Sequence, residues 1–418
     1  MSEGPDDRRM RAGALAVAAL ACFVSLEPAC RSAVAAGFVD ALGDIPVGFG
    51  RETKGCTDRS CICTVTILDD APASVPGSLR SCAETQLPKW IVFAARGAFR
   101  LNRPLPVASD KIIDGRKQRR DDGPVTIVGA SRISLLIDDV RNVVLTDLFF
   151  RSDQSPLSPD AERCRNPQLP RDTLRCGVPI EIRGAARHIW INHNEFERCG
   201  DKCIAVWTGS ERGMTSTVRV SGGDLITISN NVFRDSYFGV LVGAGARIPV
   251  ANLPAHMRVT LYRNIFYNVF RRSPRAASHA KVHAFNNVMK YWGRATGSCN
   301  GRDVGWAASS VGEAQLLLEN NILIARPNPD NCKVGVQIGD YSPEGDDRRG
   351  MGMVRAVGNS LANGATVEEH QSARVFNPNE RAQQDFAYPY VLSPTAGLEQ
   401  ILNASAGPRG FAKRALAD

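Results

Sequence analysis

Aromatic residues are scarce in this 418-residue chain, at 7%, and no apolar stretch is long enough to span a bilayer comfortably. No segment rich in Pro, Gly and Ser divides the sequence, and no low-complexity tract stands out, so a string of linked domains is not indicated. No recognition-helix pattern or basic-aromatic platform appears, which argues against nucleic acid as a partner. No clustered Asp-Asp motif with a nearby Gly-His appears, which argues against glycoside hydrolysis by paired carboxylates. What the chain has instead is glycine, 37 residues of it, and a 43% hydrophobic content ample for a core. That composition suits thin strands joined by tight turns.

A short pattern recurs seven times: an apolar residue, two variable residues, Asn or Asp, a variable residue, and a second apolar residue. Its polar positions are Asp147, Asn194, Asn231, Asn264, Asn287, Asn321 and Asn359. The shortest gap, 23 residues from Asn264 to Asn287, fits one rung of a β-solenoid. Intermediate gaps fit a rung plus a loop, and the 47 residues from Asp147 to Asn194 fit two rungs. Such a repeat cannot bury its apolar face alone, so neighbours stack into a continuous core. Asparagine suits a bend because it tolerates left-handed backbone angles and its amide can bond the next rung. The fold class expected from the repeat is all-β, a single β-solenoid over residues 37–418. Residues 152–177 read as an inserted loop and 371–418 as a C-terminal tail along the helix.

Residues 1–36 read as a secretory signal: Arg8, Arg9 and Arg11 precede an apolar run from Ala12 to Leu26, and Ala33-Val34-Ala35 offers a cleavage site. Its removal leaves ten of the twelve cysteines, an even number that suits oxidised pairs in a secreted or periplasmic protein. Proximity points to Cys164–Cys176, Cys199–Cys203 and Cys299–Cys332. The cluster Cys56, Cys61, Cys63 and Cys82 leaves zinc open as an alternative, although its spacing fits no standard zinc pattern. The formal net charge of +8 suits an anionic partner, and an extended solenoid face suits a long linear polymer such as a polyuronate. A monomer with no membrane partner after signal removal is expected.

Several segments, in order, resemble the pectate and pectin lyase family. Gly48-Phe49-Gly50 and then Gly77-Ser78-Leu79-Arg80 match its opening, which precedes the first strand, and Lys111-Ile112-Ile113-Asp114-Gly115 matches its “T-I-D-G” turn. Ile189-Trp190-Ile191-Asn192-His193 is similar to “W-I-D-H”, and Thr227-Ile228-Ser229-Asn230-Asn231 to “T-I-S-N-N”. Arg272-Ser273-Pro274-Arg275 and His283-Ala284-Phe285-Asn286-Asn287 are similar to “R-x-P-R” and “H-x-x-N-N”. The resemblance implies a right-handed parallel β-helix that cleaves polygalacturonate by β-elimination. It makes Arg272 the base that removes the C5 proton.

Departures from that pattern are as informative. The resemblance implies calcium on the uronate carboxylate, and calcium needs several convergent oxygens. Its first ligand region reads Val178-Pro179-Ile180 here, and its second, Asp201-Lys202-Cys203-Ile204-Ala205, keeps only the first aspartate. Asp201, paired with Glu181 or Asp224, is what remains of a calcium site. The family's substrate lysine is replaced within Asp235-Ser236-Tyr237-Phe238, and its second arginine is Ala277. Arg275, His279 and Lys281 are left as candidates for that second role. Lys202 and Arg183 are candidates to replace calcium with fixed cations, and His193 is a candidate substrate contact. Two functions follow: a lyase tolerant of esterified pectin, or a non-catalytic β-helix that binds acidic polysaccharide.

Overall fold

The computed structural model describes residues 42–56, 59–116, 122–129, 133–151, 177–208, 221–243, 252, 254, 256–293, 305–327, 333–338, 352–367, 386–411, 413 and 416. Residues 1–45 and 46–418 form two units, and of the first only 42–45 are described. The signal reading of 1–36 and the loop over 152–176 therefore fall outside the described residues.

The second unit is a solenoid of parallel strands. One full turn runs through Arg141–Thr146 on a first sheet, Phe149–Arg151 on a second and Val178–Arg183 on a third. The chain then returns to the first sheet as Arg187–Asn192, directly beside its starting strand. Among the described residues, ten strands stack this way in the first sheet. The second and third faces share one hydrogen-bonded network, because Val232–Val242 runs unbroken around their common corner. Alternate residues of each first-sheet strand point inward: Ile189 and Ile191, Ile226 and Ile228, Val259 and Leu261, Leu316 and Leu318, all fully buried in one core. Burying each such side chain contributes about 2 kcal/mol, and only stacking supplies the partners.

The corner after the first sheet carries an amide ladder. The Oδ1 atoms of Asn231, Asn264, Asn287, Asn321 and Asn359 each accept from the backbone and side-chain N–H groups of the ladder asparagine one rung before, at 2.8–3.1 Å. The ladder differs from the sequence pattern at its first member. Thr146 is in register with Asn192, so Leu148, not Asp147, stands at the ladder position, and its amide donates to Asn194 Oδ1. Asp147 sits one residue earlier, at the left-handed position shared by His193, Asn230, Arg263, Asn286 and Asn320, with φ between 48° and 59°. The left-handed angle thus belongs to the residue before each ladder asparagine. The 47-residue gap is likewise one rung carrying the inserted segment, since the strands on either side of it are neighbours. Inside the ladder, Phe150, Phe196, Phe233 and Phe266 stack nearly parallel, with centroids 4.5–4.9 Å apart.

A cap closes the N-terminal end. Gly77-Ser78-Leu79-Arg80 does not precede the first strand. It opens a short helix, Leu79–Ala83, after the strand Ile62–Val65. The Ser78 side chain accepts from the Ser81 amide, and Leu79, Cys82 and Ala83 plug the core. Disulfides Cys56–Cys61 and Cys63–Cys82 fasten this cap. All four thiols of that cluster are consumed, which overturns the zinc alternative. Cys199–Cys203 is a disulfide, as its proximity implies, whereas Cys164–Cys176 and Cys299–Cys332 lie outside the described residues.

Chain ends cover the other two faces. Phe49 packs on Phe386 and Tyr388 over the first sheet. There Tyr388 Oη lies 2.5 Å from His283 Nδ1, and His283 Nε2 lies 2.9 Å from Glu319 Oε2, which also accepts from Tyr390 at 2.8 Å. Because Glu319 is acceptor-only, the imidazole presents Nε2–H to it and accepts from Tyr388 at Nδ1, the neutral tautomer. The helix Leu398–Ser405 lays Leu398 and Leu402 onto Val232, Ile265, Val288 and Ile322 of the second sheet. Beyond it, the Arg409 guanidinium clasps buried Asp147 at 2.7 and 3.0 Å. Among the described residues, neither of these segments lies over the outer face of the third sheet.

Candidate active site

Strand register builds this face. Ile180, Ile204, Val240 and Ala276 turn into the core, so their neighbours Glu181, Ala205, Leu241 and Arg275 turn out. Pairing places them in one row that continues through Ser309 to Gln337. Glu181, Ala205, Arg275, Ser309 and Gln337 are buried, whereas Leu241, Arg183, Lys202 and Arg272 are half-buried. A bound chain would therefore meet the second group first.

Arg272 lies at the corner between the second-sheet strand Ile265–Arg271 and the third-sheet strand Arg275–Ala277. Its φ of 66° is left-handed, as at the corners carrying His193, Asn230 and Asn286. Its guanidinium carbon stands 3.8 Å from the centroid of the Phe238 ring. Arg271 is held similarly, 4.6 Å from the Phe270 centroid and 4.2 Å from that of Trp306. Tyr237, Phe238 and Phe270 form their own small apolar cluster beneath the two arginines. Phe238 stands out in the sequence only as a departure from a lysine, and Trp306 only as a core residue. The adjacent Arg271-Arg272 pair is the one signal that could have linked those aromatics to cations.

The remaining candidates divide. Lys202 lies beside Phe238 in register, with its Nζ 2.6 Å from Asp201. The Cys199–Cys203 disulfide staples the turn that carries both. Arg183 joins Asp138 at 2.8 Å and Glu181 at 3.0 Å. Burial alone would lower its pKa, but hydrogen bonds and charge from Asp138 and Glu181 outweigh that and raise it. Arg272, Arg275, Lys202 and Arg183 thus belong to one face and its edge. The structure does not bring His193 or Lys281 there. His193 is buried at the opposite corner, 3.1 Å from the Gly407 carbonyl oxygen. Lys281 opens a first-sheet strand between Arg258 and Gln315, and His279 lies 3.3 Å from Glu313.

The carboxylates left for calcium do not converge. Val178 and Ala205 offer no side-chain oxygen, Glu181 is held by Arg183, and Asp201 by Lys202. Asp224 belongs to the first sheet, where Arg258 grips it at 2.6 Å and, against the effect of burial, holds its pKa below the ordinary value. Calcium takes about 6–8 oxygen ligands, and these residues do not assemble such a set. Among the described residues no three His, Cys, Asp or Glu side chains gather as a metal site.

The profile of the pectate lyase family matches residues 123–342, more than half of the chain. The chain belongs to the pectate lyase family. Pectate lyase 1 of Chamaecyparis obtusa is 26% identical over 369 residues, covering 87% of this chain and 88% of that protein. Pectate lyase 1 of Cryptomeria japonica is 30% identical over 257 residues, 60% of this chain and 61% of that one. Among solved structures, jun a 1, the major allergen from cedar pollen, aligns with a TM-score of 0.58 at 26% identity, over 87% of this chain and 92% of its own. A pectate lyase from Bacillus sp. N165, solved with trigalacturonate, aligns with a TM-score of 0.51 at 17% identity, over 87% of this chain and 98% of its own. This second likeness is one of fold. With its parallel sheets, the chain is an all-β, right-handed parallel β-helix.

Proposed function

We propose that this protein is a secreted polysaccharide lyase that cleaves polygalacturonate chains by β-elimination across the outer face of the third sheet. In that reaction a base takes the C5 proton of a uronate and the C4–O bond breaks. The electron pair forms the C4=C5 double bond, and the departing oxygen takes up a proton. Arg272 is the residue assigned to C5. Arg275, Lys202 and Arg183 supply fixed positive charge where negative charge spreads onto the carboxyl group. Preorganised cations of this kind act without a metal, and a methyl ester lowers the charge they must balance. Esterified pectin is therefore the favoured substrate. The observation that carries this reading is the row Glu181–Ala205–Leu241–Arg275, with Arg272 at its edge: the arginines are kept while two of the family's carboxylates are gone. The disulfides support an oxidising, extracellular setting.

The test is the ultraviolet absorbance of the unsaturated product during incubation with pectate and with esterified pectin. A signal larger on esterified pectin is expected. No product from either substrate sinks the lyase reading. Salt-sensitive binding retained without product would favour a non-catalytic β-helix that holds acidic polysaccharide, a reading supported by the same missing carboxylates.

A further inference from the structure

We infer that Phe238 and Gly239 together are the positioning element for Arg272. The inference rests on the catalytic assignment of Arg272 above. A reacting guanidinium needs a fixed plane and a fixed height above the sheet, since misplacement by about 1 Å can cost a hundredfold in rate. Where the family's pattern carries a lysine, this chain has a ring. That ring is buried and offers its face to the Arg272 guanidinium at 3.8 Å. The flat ring face gives the planar guanidinium a surface to lie against without forming an ion pair, so the ring acts on its position.

The backbone provides the second half of the grip. The Val240 amide donates to the Arg272 carbonyl at 2.6 Å. This approach is open only because residue 239 is glycine: a Cβ there would stand 2.6 Å from the same carbonyl oxygen and 3.1 Å from Ser273 Oγ. Arg272 is thereby held in its left-handed conformation from the main chain and in its side-chain pose from the ring. Ring stacking within the cluster fixes the platform itself, with Tyr237 centred 4.2 Å from Phe238 and 5.1 Å from Phe270.

Three kinetic variants and one spectroscopic readout test this. Phe238→Leu keeps the apolar bulk and removes the ring face. It is expected to lower kcat about tenfold or more while changing KM less than about twofold. Phe238→Trp, which keeps a ring face, is expected to recover most of the loss. Gly239→Ala, which leaves the ring untouched and pushes on the Arg272 carbonyl, is expected to lower kcat in the same way. Unchanged kcat in Phe238→Leu overturns the inference, as does a loss that Phe238→Trp does not recover. The second readout is the Arg272 Nε–H resonance, assigned by its absence in Arg272→Lys. In the unaltered protein it is expected upfield, shifted by the ring current, and in Phe238→Leu it returns toward the position of free arginine. If the unaltered protein produces no unsaturated product, the proposed function fails, and this resonance decides the placement. A shift that moves on ring removal sustains it, and an unmoved resonance overturns it.

Discussion

At the corner after the first sheet, each rung repeats its neighbour's chemistry. Asn264 accepts from Asn231 and donates to Asn287, and it spends its remaining amide proton on the Ile228 carbonyl. On the outer face of the third sheet the same rungs change identity at every step, from Glu181 to Ala205, Leu241 and Arg275. Repetition at the corner satisfies every polar group with the rung above or below, and nothing is left over for a ligand. Variation on the face leaves side chains whose partners are local and mixed: Arg183 with two carboxylates, Lys202 with one, Arg272 with a ring. The difference separates what holds the solenoid together from what it does.

The largest effect is expected at the corner. Asn264→Ala strips four hydrogen bonds from a fully buried site and takes their partner from two Asn231 N–H groups and the Ile228 carbonyl on the rung before. A loss of about 3 kcal/mol follows, read as a shift of the denaturant midpoint, with catalysis of the folded fraction intact. A loss below about 1 kcal/mol would mean that the column is ornamental. The converse substitution on the face, Arg272→Lys, keeps a cation and removes the planar fork. It is expected to lower turnover about a hundredfold while leaving the unfolding midpoint unchanged. Turnover at the unaltered level would remove Arg272 from the mechanism.

The corner was legible in the sequence because its rule is periodic. Six of the seven positions read from spacing are ladder asparagines. The seventh, Asp147, misled because Val144 and Phe149 frame it with the right apolar spacing one residue out of register. Nothing periodic marks the face. Arg272 and Arg275 are candidates through resemblance alone, and strand register sets Arg275 in the row. Lys281 and His193 lie near them in the chain or in motif order, yet the solenoid carries them to other corners. Phe238 shows in the sequence only as a departure from a lysine, because the guanidinium it meets belongs to a different rung 34 residues along the chain.

A smaller effect is expected from acid, at the strap over the first sheet. Burial disfavours the imidazolium of His283, so its pKa is lowered from 6.5 even though Glu319 pulls the other way. The unfolded chain therefore takes up this proton first. The stability tied to a neutral His283 is present above 6.5 and is lost as pH falls below that value. Burial would raise Glu319, but hydrogen bonds from His283 and Tyr390 prevail and lower it, so its contribution fades at still lower pH. Stability followed against pH should fall first in the histidine window, and His283→Gln should flatten that step. A profile that is level until the carboxylate range would contradict the neutral assignment. The smallest effect concerns encounter: with a net charge of +8, rising salt should weaken binding to pectate through screening and leave Asn264→Ala and the unaltered protein equally affected.

Lyase rate in the presence of a calcium chelator tests most directly the claim that the third-sheet face works with fixed cations. With Val178 and Ala205 where oxygens are needed and Glu181 and Asp201 already held by Arg183 and Lys202, the rate of unsaturated product formation on esterified pectin should be the same with and without chelator. A rate that collapses in chelator and returns on adding calcium would show that Asp201, with Glu181 or the substrate's own oxygens, rebuilds a metal site and that the cations on this face are not its replacement.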